Sequence, residues 1–401
     1  MSPRDGRLPQ LDSLRGLASM AVVIQHCLYP LQAVGQVPWV VTVLAYTPLA
    51  LFFSSYQAVL FFFILSGFVL AIPFYGARNP SYRGFVIKRI FRIYPALWAA
   101  LALAFVSQLL VQRLLSAPRT SWPNGSHAAG GLGEGLQQLL LVVTPRNDAY
   151  DGVIWSLVHE MRISLILPLI AVGIARGYGR RMILYGLPIA AVGFLFGGGP
   201  GTVNVFGTLY YGYLFIWGAV IAFHRIAIGA WISRLSPTRQ LAVAATGIAL
   251  YLSHSSAAEL LLPWSLLSNL APWTAAVRAA IFLVLAPWTA AAGAAIFLVL
   301  ALGASGAKRL LQLPPIQFLG RISYSLYLIH GVVLYTLLAR WEPGSVPLLV
   351  PTLLLTPTLS VAVAWLLYET VERRGINVGH RMAARLAGRA KGAIEPKAHA
   401  A

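Results

Sequence analysis

LDSLRGLASMAVVIQHC, residues Leu11 to Cys27, is the stretch that decides how this chain folds. It opens an apolar run of membrane-spanning character, yet it carries Arg15 near one end and His26 deep inside. The two are eleven residues apart in the chain. At about 3.6 residues per turn that is close to three turns, so a helix shows both from one face. Along the axis they stand about 16 Å apart at about 1.5 Å per residue. Arg15 can then stay near a headgroup boundary while His26 lies near mid-membrane. An ionisable side chain at that depth faces a protein interior or a wet cavity. Two roles stay open for it: a histidine that only hydrogen-bonds a neighbouring helix, and one that does chemistry.

Composition supports the membrane setting. Of 401 residues, 58% are hydrophobic and 10% charged, where soluble proteins carry about a quarter charged. Apolar runs of about twenty residues recur along the chain, which predicts an all-α polytopic membrane protein. The first run is polar-interrupted, lacks a small-residue cleavage site and precedes many more spans, so it is not expected to be a cleaved signal peptide. A net charge of +19 would suggest nucleic acid in a soluble protein. Here it is better explained by basic loops that set orientation and face anionic lipid, and no nucleic-acid partner is expected. The single cysteine, Cys27, rules out an intrachain disulfide and a cysteine-built metal site; no metal is expected. It points about 100° away from His26 on a helix and reads as packing.

Ten transmembrane helices are predicted. They run over about 12–31, 56–75, 93–115, 153–175, 182–196, 205–223, 241–255, a stretch ending near 303, 322–339 and 346–368. An even number puts both termini on one side. By this map only Arg113, Arg119, Arg146 and Arg340 fall in outer segments and Arg162 and Arg278 within spans; the rest of the 30 Lys and Arg fall on the terminal side. Basic residues mark the cytoplasm, so both termini are predicted to be cytoplasmic. The polar interval 116–152 is placed outside, with its short apolar run 136–143 as a surface or re-entrant piece. Residues 1–371 form the transmembrane domain, and 372–401 a basic cytoplasmic tail expected to face lipid. APWTAAVRAAIFLVL (271–285) is repeated at once as APWTAAAGAAIFLVL (286–300). This is a tandem duplication, not an architectural period, and it makes span eight too long for about 30 Å of hydrocarbon. One copy is therefore expected in the outer interface or beyond a bend at Pro287.

Three further constellations hold polar chemistry. In FVIKRIFRIYPALW, Arg89 and Arg92 are three apart and Lys88 and Arg92 four apart, so the three are expected to crowd one side of a helix. Such a group suits phosphate oxygens, or it is an orientation signal that meets anionic lipid. In WSLVHEMR, Ser156 and Glu160 share a face, as do Trp155 and His159. Glu160 within an apolar helix must be paired or protonated, and His26 is a reasonable partner; Arg162 and His159 are too close in sequence to face it. LGRISYSLYLIHG supplies Ser323, Tyr324, Ser325, Tyr327 and His330, a set that commonly joins helices.

Together these motifs resemble the acyltransferase-3 family of integral membrane acyltransferases. The likeness rests on Arg15-x10-His26, the FFILSGF run at Phe62 to Phe68, RxxR at Arg89 and Arg92, WSLxxE at Trp155 to Glu160, and ISYSLYLIH at Ile322 to His330, in order along most of the chain. His159 and the duplication depart from the family pattern. The resemblance implies a multi-pass enzyme of the bacterial inner membrane that moves an acyl group, acetyl by default, from cytosolic acyl-CoA to a hydroxyl of a carbohydrate or glycosylated acceptor. No permanently bound cofactor is implied; acyl-CoA is a co-substrate. Lys88, Arg89, Arg92 and Arg15 would hold its phosphates. A neutral histidine with a pKa near about 6.5 suits the task of base, which falls to His26, with Glu160 or Ser156 orienting it or the acceptor. A covalent acyl-His26 intermediate is the second variant. The competing class is a proton-coupled transporter or flippase of a polar or lipid-linked substrate. Against it, no pair of broken helices occupies matching halves of the chain.

Overall fold

The structure is a computed structural model and describes residues 8–33, 43, 47–76, 80–115, 139–143, 152–199, 201–253, 272–338 and 346–392. Every regular element among them is helical. The helices are α1 (Pro9–Ala33), α2 (Ser55–Ala71), α3 (Tyr82–Leu115), α4 (Trp155–Gly173), α5 (Gly179–Leu195), α6 (Val205–Phe223), α7 (Arg225–Arg234), α8 (Pro237–Leu252), α9 (Pro272–Gly303), α10 (Ser305–Leu311), α11 (Pro314–Leu338), α12 (Val346–Leu367) and α13 (Arg373–Gly392). Six helical stretches among the described residues are long and apolar enough to cross a membrane, seven if the bent pair Pro287–Gly303 and Ser305–Leu311 is one span. Trp155–Leu195 counts once in that number, although Gly177 at φ 89° breaks it between α4 and α5. Only glycine adopts that left-handed backbone without strain, and it falls beside Arg176, Arg180 and Arg181, where the charge map turns the chain.

The site is framed by α1 and α11, which lie side by side and run parallel. Ser13 Oγ donates to Leu311 O, at the end of α10, at 2.5 Å; along α11, Ser19 Oγ donates to Ser323 O at 3.0 Å and His26 meets His330 at 2.9 Å. Partners thus advance together along both helices. Gly16 and Gly320 set the spacing: a Cβ on Gly320 would stand 2.5 Å from Asp12 O. Hydroxyl-to-carbonyl bonds at such close approach are the usual adhesive between membrane helices, where water supplies no hydrophobic drive. A second parallel pair, α2 and α6, meets through Phe63 against Tyr211 and Phe215, and Tyr75 Oη on Ala219 O at 3.0 Å.

α4 enters this frame from the middle. Its first-turn Ser156 is level with Tyr327, halfway along α11, while Leu165 O near its far end accepts from Tyr82 at the start of α3. The chain before it is tucked inward. Leu141 is fully buried, Leu139 O accepts from Trp98 Nε1 at 3.2 Å, and Val142 O from Arg162 Nε at 2.9 Å. The described part of 136–143 thus packs inward against α3 and α4, and 136–138 lie outside the described residues. Starting α4 at mid-depth carries Glu160 toward the basic end of the bundle, not into the half where His26 lies.

α9 runs helical from Pro272, in the first copy of the duplication, through the second, with Pro287 inside it. At about 1.5 Å per residue, its 32 residues extend about 48 Å. The second copy packs tightly, with Gly293 against Tyr251 and Gly247. At the other end of the sequence, α12 continues through a wide turn at Tyr368–Glu372 directly into α13. The segment expected to face lipid is docked on α3: Gly375 and Gly379 let its backbone close on Phe91 and Pro95, and Ala383 is buried.

Candidate active site

A cavity of about 710 Å³ opens among α1, α2, α3, α4, α11 and α13. Its inner wall carries Arg15, Arg89, Arg92, Ser156, Glu160 and Tyr327. These side chains come from four helices, and each is fixed by a local device. Arg15 sits three residues past Asp12 and donates Nη1 to its Oδ1 at 3.3 Å. Arg89 forms an ion pair with Glu160 through Nη2 and Oε1, and Ser66 Oγ donates to the same oxygen at 2.9 Å. Arg92 Nη1 donates to Glu372 Oε1 at 2.6 Å and lies over the Tyr324 ring, 5.7 Å from its centroid. Glu372, with no side-chain exposure, also accepts from Ser325 Oγ at 2.5 Å. Arg89, which is buried, and the half-buried Arg15 and Arg92 thus each have a carboxylate of their own, as a desolvated setting favours. Arg89 Nε is also buried and has no hydrogen-bond partner among the described residues.

The upper end of the cavity closes on a chain of hydroxyls. Tyr327 Oη donates to Val153 O at 2.9 Å, so Ser156 Oγ, 2.8 Å away, donates to Tyr327. The Tyr327 ring borders His330, centroids 5.9 Å apart, and meets Phe62 edge-on. Beyond it lies the histidine pair. His330 Nδ1 is 3.2 Å from Leu326 O, and a carbonyl can only accept, so Nδ1 carries the proton. In the neutral ring His330 Nε2 then holds a lone pair and accepts from His26 Nδ1–H at 2.9 Å. That chain of bonds leaves the His26 lone pair on Nε2. The His26 ring also lies against Tyr29, 5.1 Å between centroids.

Several expected residues meet here and others do not. Arg15, Arg89, Arg92, Ser156 and Glu160 share one cavity. Lys88 is exposed and outside its wall, because one residue along a helix turns the side chain about 100° from Arg89. Three cations do not crowd one side: two turn inward to carboxylates and the third does not. His26 is one layer beyond the cavity, behind Tyr327 and His330. Glu160 does not bond His26; its bonds go to Arg89 and Ser66. The partners that sequence spacing missed are His330 and Glu372. His330 stood in the helix-joining set, and Glu372 looked like one acid in a basic tail. His159, the departure from the family pattern, is fully buried, with Thr208 Oγ1 at 3.0 Å from Nδ1 and Thr202 O at 2.7 Å from Nε2. It belongs to a separate polar knot with Arg162, which donates to Val203 O.

An all-helical membrane bundle with an arginine-lined cavity leading to an imidazole pair is the class of protein that fold and site define. The sequence model of the acyltransferase domain family (Acyl_transf_3) matches residues 8–369, and the chain belongs to that family. No curated protein and no solved structure matches it. It is thus an integral, multi-pass membrane acyltransferase, a reaction that calls for an acyl donor and an acceptor.

Proposed function

We propose that the protein is a membrane O-acyltransferase that moves an acyl group, acetyl in the simplest case, from acyl-CoA to a hydroxyl of a carbohydrate or glycoside. The ten-span arrangement in an inner membrane, with both termini and the cavity mouth on the cytoplasmic side, gives a cytosolic donor direct entry. Arg15, Arg89 and Arg92 line its path, and the buried Arg89 Nε–H is a donor suited to an oxygen of the acyl-CoA arm. At the inner end His26 Nε2 takes the proton from the acceptor hydroxyl as its oxygen attacks the thioester carbonyl. The tetrahedral adduct collapses, the C–S bond breaks, and the imidazolium returns the proton to the departing thiolate. His330 is a positioning residue that fixes the His26 tautomer. Ser156, bonded to Tyr327, sits where the cavity narrows toward the pair, and Glu160 acts by holding Arg89.

The observation that carries this proposal is the His26–His330 contact, set on parallel helices one layer beyond an arginine-lined cavity. Purified protein in nanodiscs, given acetyl-CoA and a glycoside acceptor, should release CoA. His26→Ala should lower that rate about 10²- to 10⁴-fold while eluting and unfolding like the parent. Near-normal turnover in the variant overturns the base, and a parent that never releases CoA overturns the donor. Comparing the masses of envelope glycans and secreted glycosides with and without the gene identifies the acceptor.

A further inference from the structure

The cavity mouth differs in charge from the cavity interior. Inside, Arg15, Arg89 and Arg92 are matched one to one by Asp12, Glu160 and Glu372, so the interior is close to neutral. A polyphosphate pushed that far would meet Glu160 and Glu372 as like charges in a desolvated setting, which disfavours it there. At the rim the balance changes. Arg321, Arg373, Asn377 and His380 all line the cavity and are all exposed. Arg321 makes no ion pair among the described residues; its guanidinium lies over Phe318, 5.8 Å from the ring centroid. Arg373 is 59% exposed and, among the described residues, ion-paired only with Glu369, itself 38% exposed and one turn back. Such a surface pair exchanges readily.

Three of these four residues stand on α13, the helix that sequence alone assigns to a lipid-facing tail. It is held in place from below. Glu372 at its root is locked by Arg92 and Ser325, and Gly375 and Gly379 seat it against Phe91, 2.8 Å and 2.7 Å from where a Cβ would stand. Those two glycines are four apart and face α3. Arg373, Asn377 and His380, spaced by four and three, form the neighbouring stripe that faces the cavity.

We propose that Arg321 and the Arg373–Asn377–His380 stripe of α13 form the subsite for the phosphate-bearing nucleotide end of the donor, with its neutral arm pointing inward past Arg89 toward Tyr327 and His26. It rests on acyl-CoA being the donor. Arginine forks hold phosphate oxygens in pairs, and Asn377 offers both a donor and an acceptor to a base edge. At the rim the phosphates keep part of their hydration, so their capture is sensitive to salt. The C-terminal helix is then a wall of the donor site.

The test is direct binding to purified full-length protein in nanodiscs, by calorimetry with CoA, dephospho-CoA and pantetheine at low and high salt. CoA should bind the parent more tightly than dephospho-CoA, with affinity falling as salt rises. Arg321→Ala and Arg373→Ala should each weaken CoA about tenfold, the scale of one charge-assisted hydrogen bond. Pantetheine binding should be spared, the salt dependence flattened, and the kinetic loss should fall on donor KM more than on kcat. Arg373→Lys should recover part of it. Unchanged CoA affinity in both variants, or an equal loss for pantetheine, overturns this subsite while leaving the donor assignment standing. A parent that binds no CoA at either salt overturns the donor assignment itself.

Discussion

Replacing His330 by alanine should slow transfer without altering the cavity. In the structure His330 Nδ1–H is committed to Leu326 O, and this makes Nε2 the acceptor for His26 Nδ1–H at 2.9 Å. Alanine removes that acceptor and strands a buried N–H, a penalty of about 1–3 kcal/mol for the productive tautomer. The imidazole can avoid it by moving its proton to Nε2, which takes the lone pair away from the acceptor. At about 1.4 kcal/mol per factor of ten, the productive population and kcat should fall about ten- to a hundredfold. That is a smaller loss than the His26→Ala variant suffers. His330→Gln, whose amide oxygen can accept from Nδ1–H, should recover part of the rate. The assay is CoA release at saturating donor, with donor binding measured in parallel to show an intact cavity. A His330→Ala enzyme within twofold of the parent would refute the tautomer argument, as would a glutamine variant no better than alanine at equal folding.

Arg89→Ala leaves Glu160 without its counter-charge; since Glu160 keeps 21% exposure, destabilisation of about 2–4 kcal/mol is expected, read as a lower unfolding temperature in detergent. Arg89→Ala with Glu160→Ala should be less destabilised than the sum of the single variants, and simple additivity argues against the pair. Gly320→Ala pushes a methyl onto the Asp12 backbone and should cost about 1–3 kcal/mol by prying α1 from α11; a parent-like unfolding temperature refutes the close approach. Lys88→Ala should leave donor KM within about twofold, since one exposed charge off the cavity wall contributes little; a large rise places Lys88 in the donor path.

Much of the site was legible because membrane burial makes charge conspicuous. Arg15, Arg89, Arg92, Ser156 and Glu160 each stood out as polar residues at helical spacing in apolar surroundings, and all five line one cavity. Periodicity reports which face a residue occupies, never which helix lies opposite, so the pairings were out of reach. Glu160 was matched to His26 by assumed depth, and α4 starting at mid-depth breaks that assumption. His330 and Glu372 meet partners about 300 residues away in the chain, and no local pattern encodes such neighbours. The break between the fourth and fifth predicted spans was legible from Arg176, Arg180 and Arg181, and it falls at Gly177, whose positive φ separates α4 from α5. The tail misled because its arginines look solvated, while the glycines that seat it carry no hydropathy signal.

The α1–α11 seam also dictates an order of assembly. Ser19 and Ser323, like His26 and His330, are separated by 304 positions. At about 5–20 residues per second of synthesis, the opening helix waits roughly 15–60 s in the bilayer before its mate exists. During that interval its serines and imidazole need temporary company from lipid headgroups, water or an insertion factor. A nascent chain cut short before Pro314 would hold every basic residue of the inner wall and still have no imidazole pair, so the proposed centre comes together only once α11 has been made.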